Sequence, residues 1–172
     1  MSDSASVDIV TDGVILLRPL TVSDAEAHLA GEDDEQRKWF GHLEQASWLE
    51  GVIQFIERSQ FEWTSAGRRN WGIREVETGA LVGNVEARNR GDGSANISVA
   101  VFPNYRRRAV RMACAYARDA LSVGRVVAII DAENFASRRV AENVGFLLDG
   151  PAEAWEDDLP TGEMLRYVLL FE

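Results

Sequence analysis

Three strand-like runs in succession, NWGIREVE (residues 70–77), ALVGNVEARN (80–89) and ANISVAVF (95–102), are separated only by the short segments TG and RGDGS. Such spacing leaves no room for crossover helices, so the three runs predict an antiparallel meander. The pattern then changes. A helical stretch over residues 106–122 leads to the apolar run RVVAIID (125–131) and a second amphipathic stretch, NFASRRVAENV (134–144). The short run FLLDG (146–150) and the strand-like EMLRYVLLF (163–171) complete the series. A meander followed by strand–helix alternation predicts an α/β architecture: a mixed sheet with helices on both faces.

Upstream, GVILLRPL (13–20) reads as a further strand. In the following TVSDAEAHLAG, Thr21 is placed as a helix N-cap with Asp24 three residues on, the spacing of a capping box. Leu49, Val52, Ile53, Ile56 and Phe61 fall at helical spacing with polar positions between them. No repeat, low-complexity tract or Pro/Gly-rich linker divides the chain. Residues 1–172 are therefore expected to form one domain, with 1–12 the candidate for a disordered start.

Composition narrows the function. A chain of 172 residues, 46% hydrophobic and 27% charged, can bury one sizeable core. Its net charge of −10 argues against broad nucleic-acid binding, because a phosphate backbone rewards basic surfaces; a confined basic patch stays open. Cys114 is alone, which removes an intrachain disulfide and a cysteine-based metal framework, and no metal is expected. MSDSASVDIV lacks the basic and apolar regions of a signal peptide, and no apolar run is long enough to span a bilayer. A cytoplasmic protein without a membrane partner is expected.

One stretch is specific. In DAENFASRRVAENVGFLLDG (131–150), Asn134 is followed three residues on by Ser137, then by a basic–aliphatic pair, a glutamate, Gly145-Phe146 and an acidic–glycine ending. This resembles the signature of the GNAT acyltransferase superfamily, most closely its branch of ribosomal-protein N-terminal acetyltransferases and their small-molecule relatives. The opening ILLRPLTVSDAEAHLAGEDDEQRKWFG resembles that branch's first strand and helix, and ANISVAVFP its central strand. The resemblance covers essentially the whole chain. It implies a single splayed sheet of about six to seven strands that opens a V-shaped slot for acetyl-CoA or another acyl-CoA. It also implies acyl transfer to an amine on a small molecule or peptide, and it leaves a homodimer open. By resemblance, Asn134 contacts the pantetheine arm and Ser137 can give a proton to the departing thiolate. From the residues alone, Asn134 is a helix cap and Ser137 a first-turn residue. Gly145 closes that helix and Phe146 enters the core.

The junction VFPNYRRRAVRMACAYA (101–117) departs from the family pattern. There a glycine-containing turn exposes backbone N–H groups that, with a helix N-terminus, cradle the CoA pyrophosphate. Here no glycine lies between Pro103 and Ala117, and four arginines, Arg106, Arg107, Arg108 and Arg111, stand at the site. The better alignment lacks roughly five residues of the cradle. That length rises about 7.5 Å along a helix, so the loop must shorten, the helix must start later, or both. Arginine side chains bind phosphate bidentately and can replace a backbone cradle in part; the alternative is a solvated arginine cluster. Val99, Val101, Phe102, Arg106, Arg107, Arg108, Asn134 and Ser137 are the candidate cofactor contacts.

For the chemistry, the resemblance implies an oxyanion donor among the backbone N–H groups of a bulged central strand, around Val99 to Phe102. Glu86 is the base candidate, working directly or through water, against the reading that it is an exposed strand glutamate. Glu32, Asp33, Asp34 and Glu35 form an acidic run that can attract a cationic amine or be a solvated loop. Trp39, Trp48, Trp63, Trp71 and Trp155 can line an acceptor pocket, most being expected in the core. His28 and His42 are isolated and receive no role, and the segment 151–163 carries no ligand motif. Two other readings follow from the missing cradle. One is a transferase on this fold taking its acyl group from aminoacyl-tRNA or a carrier protein. The other is a pseudoenzyme that has lost CoA.

Overall fold

The computed structural model describes residues 9–39, 47–65, 67–101, 103–153 and 163–172. Its strands are β1 (Val10–Thr11), β2 (Ile15–Pro19), β3 (Arg68–Glu75), β4 (Leu81–Asn89), β5 (Ser94–Val101), β6 (Arg125–Asp131), β7 (Leu147–Pro151) and β8 (Met164–Leu170). Its helices are α1 (Ala25–Ala30), α2 (Asp34–Trp39), α3 (Leu49–Ser65), α4 (Arg106–Ala120) and α5 (Phe135–Val144). All the strands join one sheet in the order β1-β2-β3-β4-β5-β6-β8-β7. Every neighbouring pair is antiparallel except β5–β6.

The sheet has one strand more than expected. The Asp12 carboxylate accepts the N–H groups of Val14 and Ile15, each at 3.0 Å, and Gly13 takes a φ of +86° that favours glycine. This tight turn folds Val10 and Thr11 back onto Leu17 and Leu16. Of the stretch 1–12, residues 9–12 are described, and two of them form β1.

Alternation assigns the two faces of the central strands. On β3 the Arg69 guanidinium donates to the Tyr116 hydroxyl on α4, while the next residue, Asn70, donates to Ser59 on α3. One face carries Trp71, Ile73, Val85, Ala87, Ala95 and Ile97, all buried against Val110, Ala113 and Ala117 of α4. Trp71 is fully buried between Trp63 and Tyr116, with T-shaped ring contacts at 5.4 and 4.9 Å. A smaller cluster of Leu20, Ala25, Val52 and Ile56 packs α1 onto α3. Cys114 lies inside the main core, where burial pushes its thiol up to about 12 and leaves it unreactive.

The entry to α1 is a short 3₁₀ turn, Val22–Asp24. The Thr21 N–H donates to the Asp24 carboxylate at 2.8 Å, the return half of the expected capping box, and Arg74 pairs with the same carboxylate. Burial alone would raise the Asp24 pKa, but Arg74 and the Thr21 N–H outweigh it and hold it below the usual range. A depressed folded-state pKa stabilises the fold above the unfolded value of about 3.9, and that stability is lost as pH falls through the folded value. Asp24→Asn should therefore lower stability by about 2 kcal/mol at neutral pH, since Arg74 is left buried without its partner. In urea titrations from pH 7 to 3, the gap between wild type and variant should shrink towards the acid end.

What positions the site is the way β5 leaves β6. The two pair only at Ser94↔Arg125, Ala95↔Val126 and Asn96↔Val127, and beyond that point they diverge. On its other side β5 stays in unbroken register with β4, from Asn89↔Ala95 to Gly83↔Val101. The expected bulge in the central strand is therefore absent from the paired residues. The opening comes from β6 turning away along β8, to which it stays paired as far as Asp131↔Met164.

Candidate active site

The gap between β5 and β6 is the waist of one cavity of about 730 Å³ that runs through the sheet. On the α4/α5 side its walls include Val110, Val140, Ala141 and Phe146, with Arg106, Asn134 and Ser137 as the polar members. Alternate residues of the stretch 97–101 turn their backbone N–H and C=O groups away from β4, into the opened edge. An extended, amide-containing arm fits such an edge as an added strand would.

Asn134 caps α5, its Oδ1 accepting the Ser137 N–H at 3.1 Å, and it is buried against the cavity. The capping role read from the sequence and a cavity position coexist. Ser137 is half-buried one turn into the helix, and no described residue engages its hydroxyl. Gly145 takes φ +110° to end α5 and Phe146 is 2% exposed, as the residues alone predict.

At the β5–α4 junction the turn is short. A 3₁₀ turn, Pro103–Tyr105, leads directly into α4 at Arg106. Tyr105 donates to Glu75 and Arg108 pairs with Asp12, fastening the junction to two hairpins. The Asp12 carboxylate also offsets the charge of one of the arginines at the helix N-terminus. Only Arg106 of the three candidate arginines lines the cavity. Arg107 is exposed, Arg108 is turned to Asp12, and Arg111 donates to the Asn143 carbonyl at 3.3 Å. Val99 lines the cavity and the Val101 backbone pairs with Gly83, whereas Phe102 lies outside the described residues.

Beyond the waist, under α1, α2 and α3, the cavity wall is the other face of the meander. It is polar: Arg68 and Asn70 on β3, Asn84, Glu86 and Arg88 on β4, Asn96 and Ser98 on β5. Glu86 is 8% exposed, so it is not a solvent-facing strand glutamate. Its Oε2 sits 2.8 Å from Arg68 Nε, and Arg68 also meets Glu62 at 3.0 Å. Burial works against the Arg68 charge, but these two carboxylates more than offset it and raise its pKa.

His28, given no role in the sequence, stands at this end of the cavity on α1 with its ring tilted against Phe55 at 5.7 Å. Burial lowers its pKa below the ordinary value, against weaker opposing pulls from Asn84, Glu32 and Asp24, and Nδ1 has no partner among the described residues. A neutral imidazole follows. Of the acidic run, Glu32 alone lines the cavity and accepts from Ser47 at 2.8 Å. Asp33 accepts the Gln36 N–H at the start of α2, a helix the sequence reading treats as loop, Asp34 pairs with Arg37, and Glu35 is exposed. Trp39 and Trp48 line the cavity, Trp71 is core, and Trp63 packs against that core. His42, Trp155 and most of the segment 151–163 lie outside the described residues.

A splayed sheet with a cavity through its waist, polar on one side and edged by backbone unpaired with β6 on the other, can admit two molecules from opposite sides. Comparison with known proteins gives the family. The model of the acetyltransferase (GNAT) domain matches residues 15–147, most of the chain. The chain belongs to the GNAT acetyltransferase family and is, by that membership, an N-acetyltransferase. It is 27% identical over 144 residues to the uncharacterized N-acetyltransferase YoaA of Bacillus subtilis (strain 168), covering 79% of this chain and 81% of that protein. Among solved structures, the fold matches the ribosomal-protein-S5-alanine acetyltransferase of Vibrio fischeri at TM-score 0.72, with 14% identity over 94% of this chain and 96% of that one. It matches the spermidine N-acetyltransferase of Vibrio cholerae, solved with CoA and spermine, at TM-score 0.73, with 17% identity over 92% and 96%. Among the described residues no helix is long and apolar enough to cross a membrane.

Proposed function

We propose that this protein moves an acetyl group from acetyl-CoA directly to a primary amine, the donor entering between β5 and β6 and the amine from the polar side under α1–α3. The observation that carries this reading is the continuity of the cavity through the sheet, which lets two reactants meet at the waist without a covalent enzyme intermediate.

The chain's own groups suit the donor. The opened backbone edge and apolar walls fit a pantetheine arm, with Asn134 at its side. Arg106, on the first turn of α4, takes over phosphate binding where family members use glycine backbone, so the CoA site is atypical. Acetyl-CoA supplies the activated acyl group. A backbone N–H of the stretch 97–101 faces the negative charge that develops on the carbonyl oxygen. Glu86 takes the proton that the amine loses as its nitrogen bonds to the acyl carbon. Ser137 gives a proton to the sulfur as the carbon–sulfur bond breaks, and recovers it from solvent. A second candidate for the base is His28, favoured by its neutral ring and unpartnered Nδ1.

The test is thiol release from acetyl-CoA in the presence of amino acids, polyamines and short peptides, with products checked by mass for one added acetyl group. Amine-dependent release is expected. A folded protein that releases thiol with none of them would overturn the reading.

A further inference from the structure

The charged groups on the polar side of the cavity are not all paired with one another. Two cross-strand rows line this wall. Arg68, Arg88 and Asn96 are register partners in one, and Asn70, Glu86 and Ser98 in the next. Arg68 is matched twice, by Glu86 and by Glu62, and Glu32 accepts from Ser47. Arg88 is half-buried in the cavity wall and has no hydrogen-bond or ion-pair partner among the described residues. Beside it in the same row, Asn96 is 8% exposed and its buried Oδ1 also has no partner among the described residues. A buried carbonyl oxygen is normally satisfied, and a guanidinium with no carboxylate partner in a cavity wall can take an anion. The two side by side point to a ligand that completes both.

The spacing says what the ligand carries. Arg88 and Glu86 lie two residues apart on one strand face, about 6.7 Å between their Cα atoms. A guanidinium takes a carboxylate or phosphate in a two-pronged hydrogen bond, while the Asn96 carbonyl oxygen accepts an N–H. This wall carries Glu32 and Glu86 against Arg68 and Arg88, so it offers a polycation no net attraction. We propose that Arg88 anchors an acid group of the acceptor, so that the amine acetylated here belongs to a small molecule bearing a carboxylate or phosphate monoester a few bonds from its amino group. This rests on the polar half of the cavity being the acceptor side.

The experiment uses the full chain and the Arg88→Gln and Arg88→Lys variants. The probes are α-amino acids, their carboxamides, phosphoethanolamine and spermidine, read by thermal shift and by thiol release from acetyl-CoA. At least one acid-bearing amine should stabilise the wild type and exceed its uncharged counterpart about tenfold in kcat/KM, the scale of one charge-assisted bidentate contact. Arg88→Gln should raise KM for that acid about tenfold, with a smaller change in kcat, and bring acid and amide to within about threefold. Arg88→Lys should recover part of the loss. Amino acids and phosphoethanolamine separate carboxylate from phosphate as the bound group. Carboxamides or spermidine used as well as the acids would overturn the proposal, as would equal damage to acid and amide in Arg88→Gln. So would failure of every acid-bearing amine to bind or react while acetyl-CoA binds. If acetyl-CoA itself does not bind, the donor reading fails, and an Arg88-dependent thermal shift by the acids still decides this one.

Discussion

Glu86→Gln should lower kcat about 10²- to 10⁴-fold, the range associated with a lost general base, while changing the acceptor's KM far less. The substitution keeps shape and hydrogen-bonding reach but replaces the basic carboxylate with a non-basic amide. It should not unfold the protein, because Arg68 keeps its second carboxylate, Glu62, at 3.0 Å. Steady-state thiol release across pH is the measurement, with His28→Asn in parallel. A larger loss in His28→Asn than in Glu86→Gln would move the base from β4 to α1. His28 is held neutral by burial, so a rate that depends on it would persist below the ordinary histidine pKa of about 6.5 and fall only at more acid pH.

Trp71→Ala should cost about 3–5 kcal/mol of stability, the scale of deleting a buried aromatic. Trp71 is 0% exposed and its ring makes edge contacts with Trp63 from α3 and Tyr116 from α4. It thus ties the end of α3 and the C-terminal half of α4 to one central strand. A domain of this size has about 5–15 kcal/mol to lose, so the variant should be marginal at 37 °C. Urea midpoints check it, and Trp71→Phe should recover part of the deficit by filling much of the volume.

Much of this was legible because it depends on local pattern. The meander, the later strand–helix alternation, the Asn134 cap and the Gly145-Phe146 ending are all set by spacing and turn chemistry. The β1 strand was missed because two residues show no alternation; its signal was the Asp12-Gly13 turn. The polar wall was missed for a different reason. Arg68 and Asn70, then Asn84, Glu86 and Arg88, then Asn96 and Ser98 recur with period two. On a sheet that pattern ordinarily marks a solvated face. Only the coverage by α1–α3 turns it into an enclosed site, and coverage is a tertiary fact. The same holds for His28, whose place in the cavity depends on the Phe55 and Asn84 that meet it. The arginine cluster was legible as charge but not as direction: helical rotation sends Arg106 to the cavity and Arg108 to Asp12.

The most direct test of the whole account is calorimetric titration of the full chain with acetyl-CoA and with desulfo-CoA. The slot between β5 and β6, with Arg106 at its mouth, predicts micromolar binding of both, weakened about tenfold by Arg106→Ala and less by Arg107→Ala. A folded protein that binds neither would contradict it, and would turn attention to another acyl carrier or to a fold that has lost its chemistry.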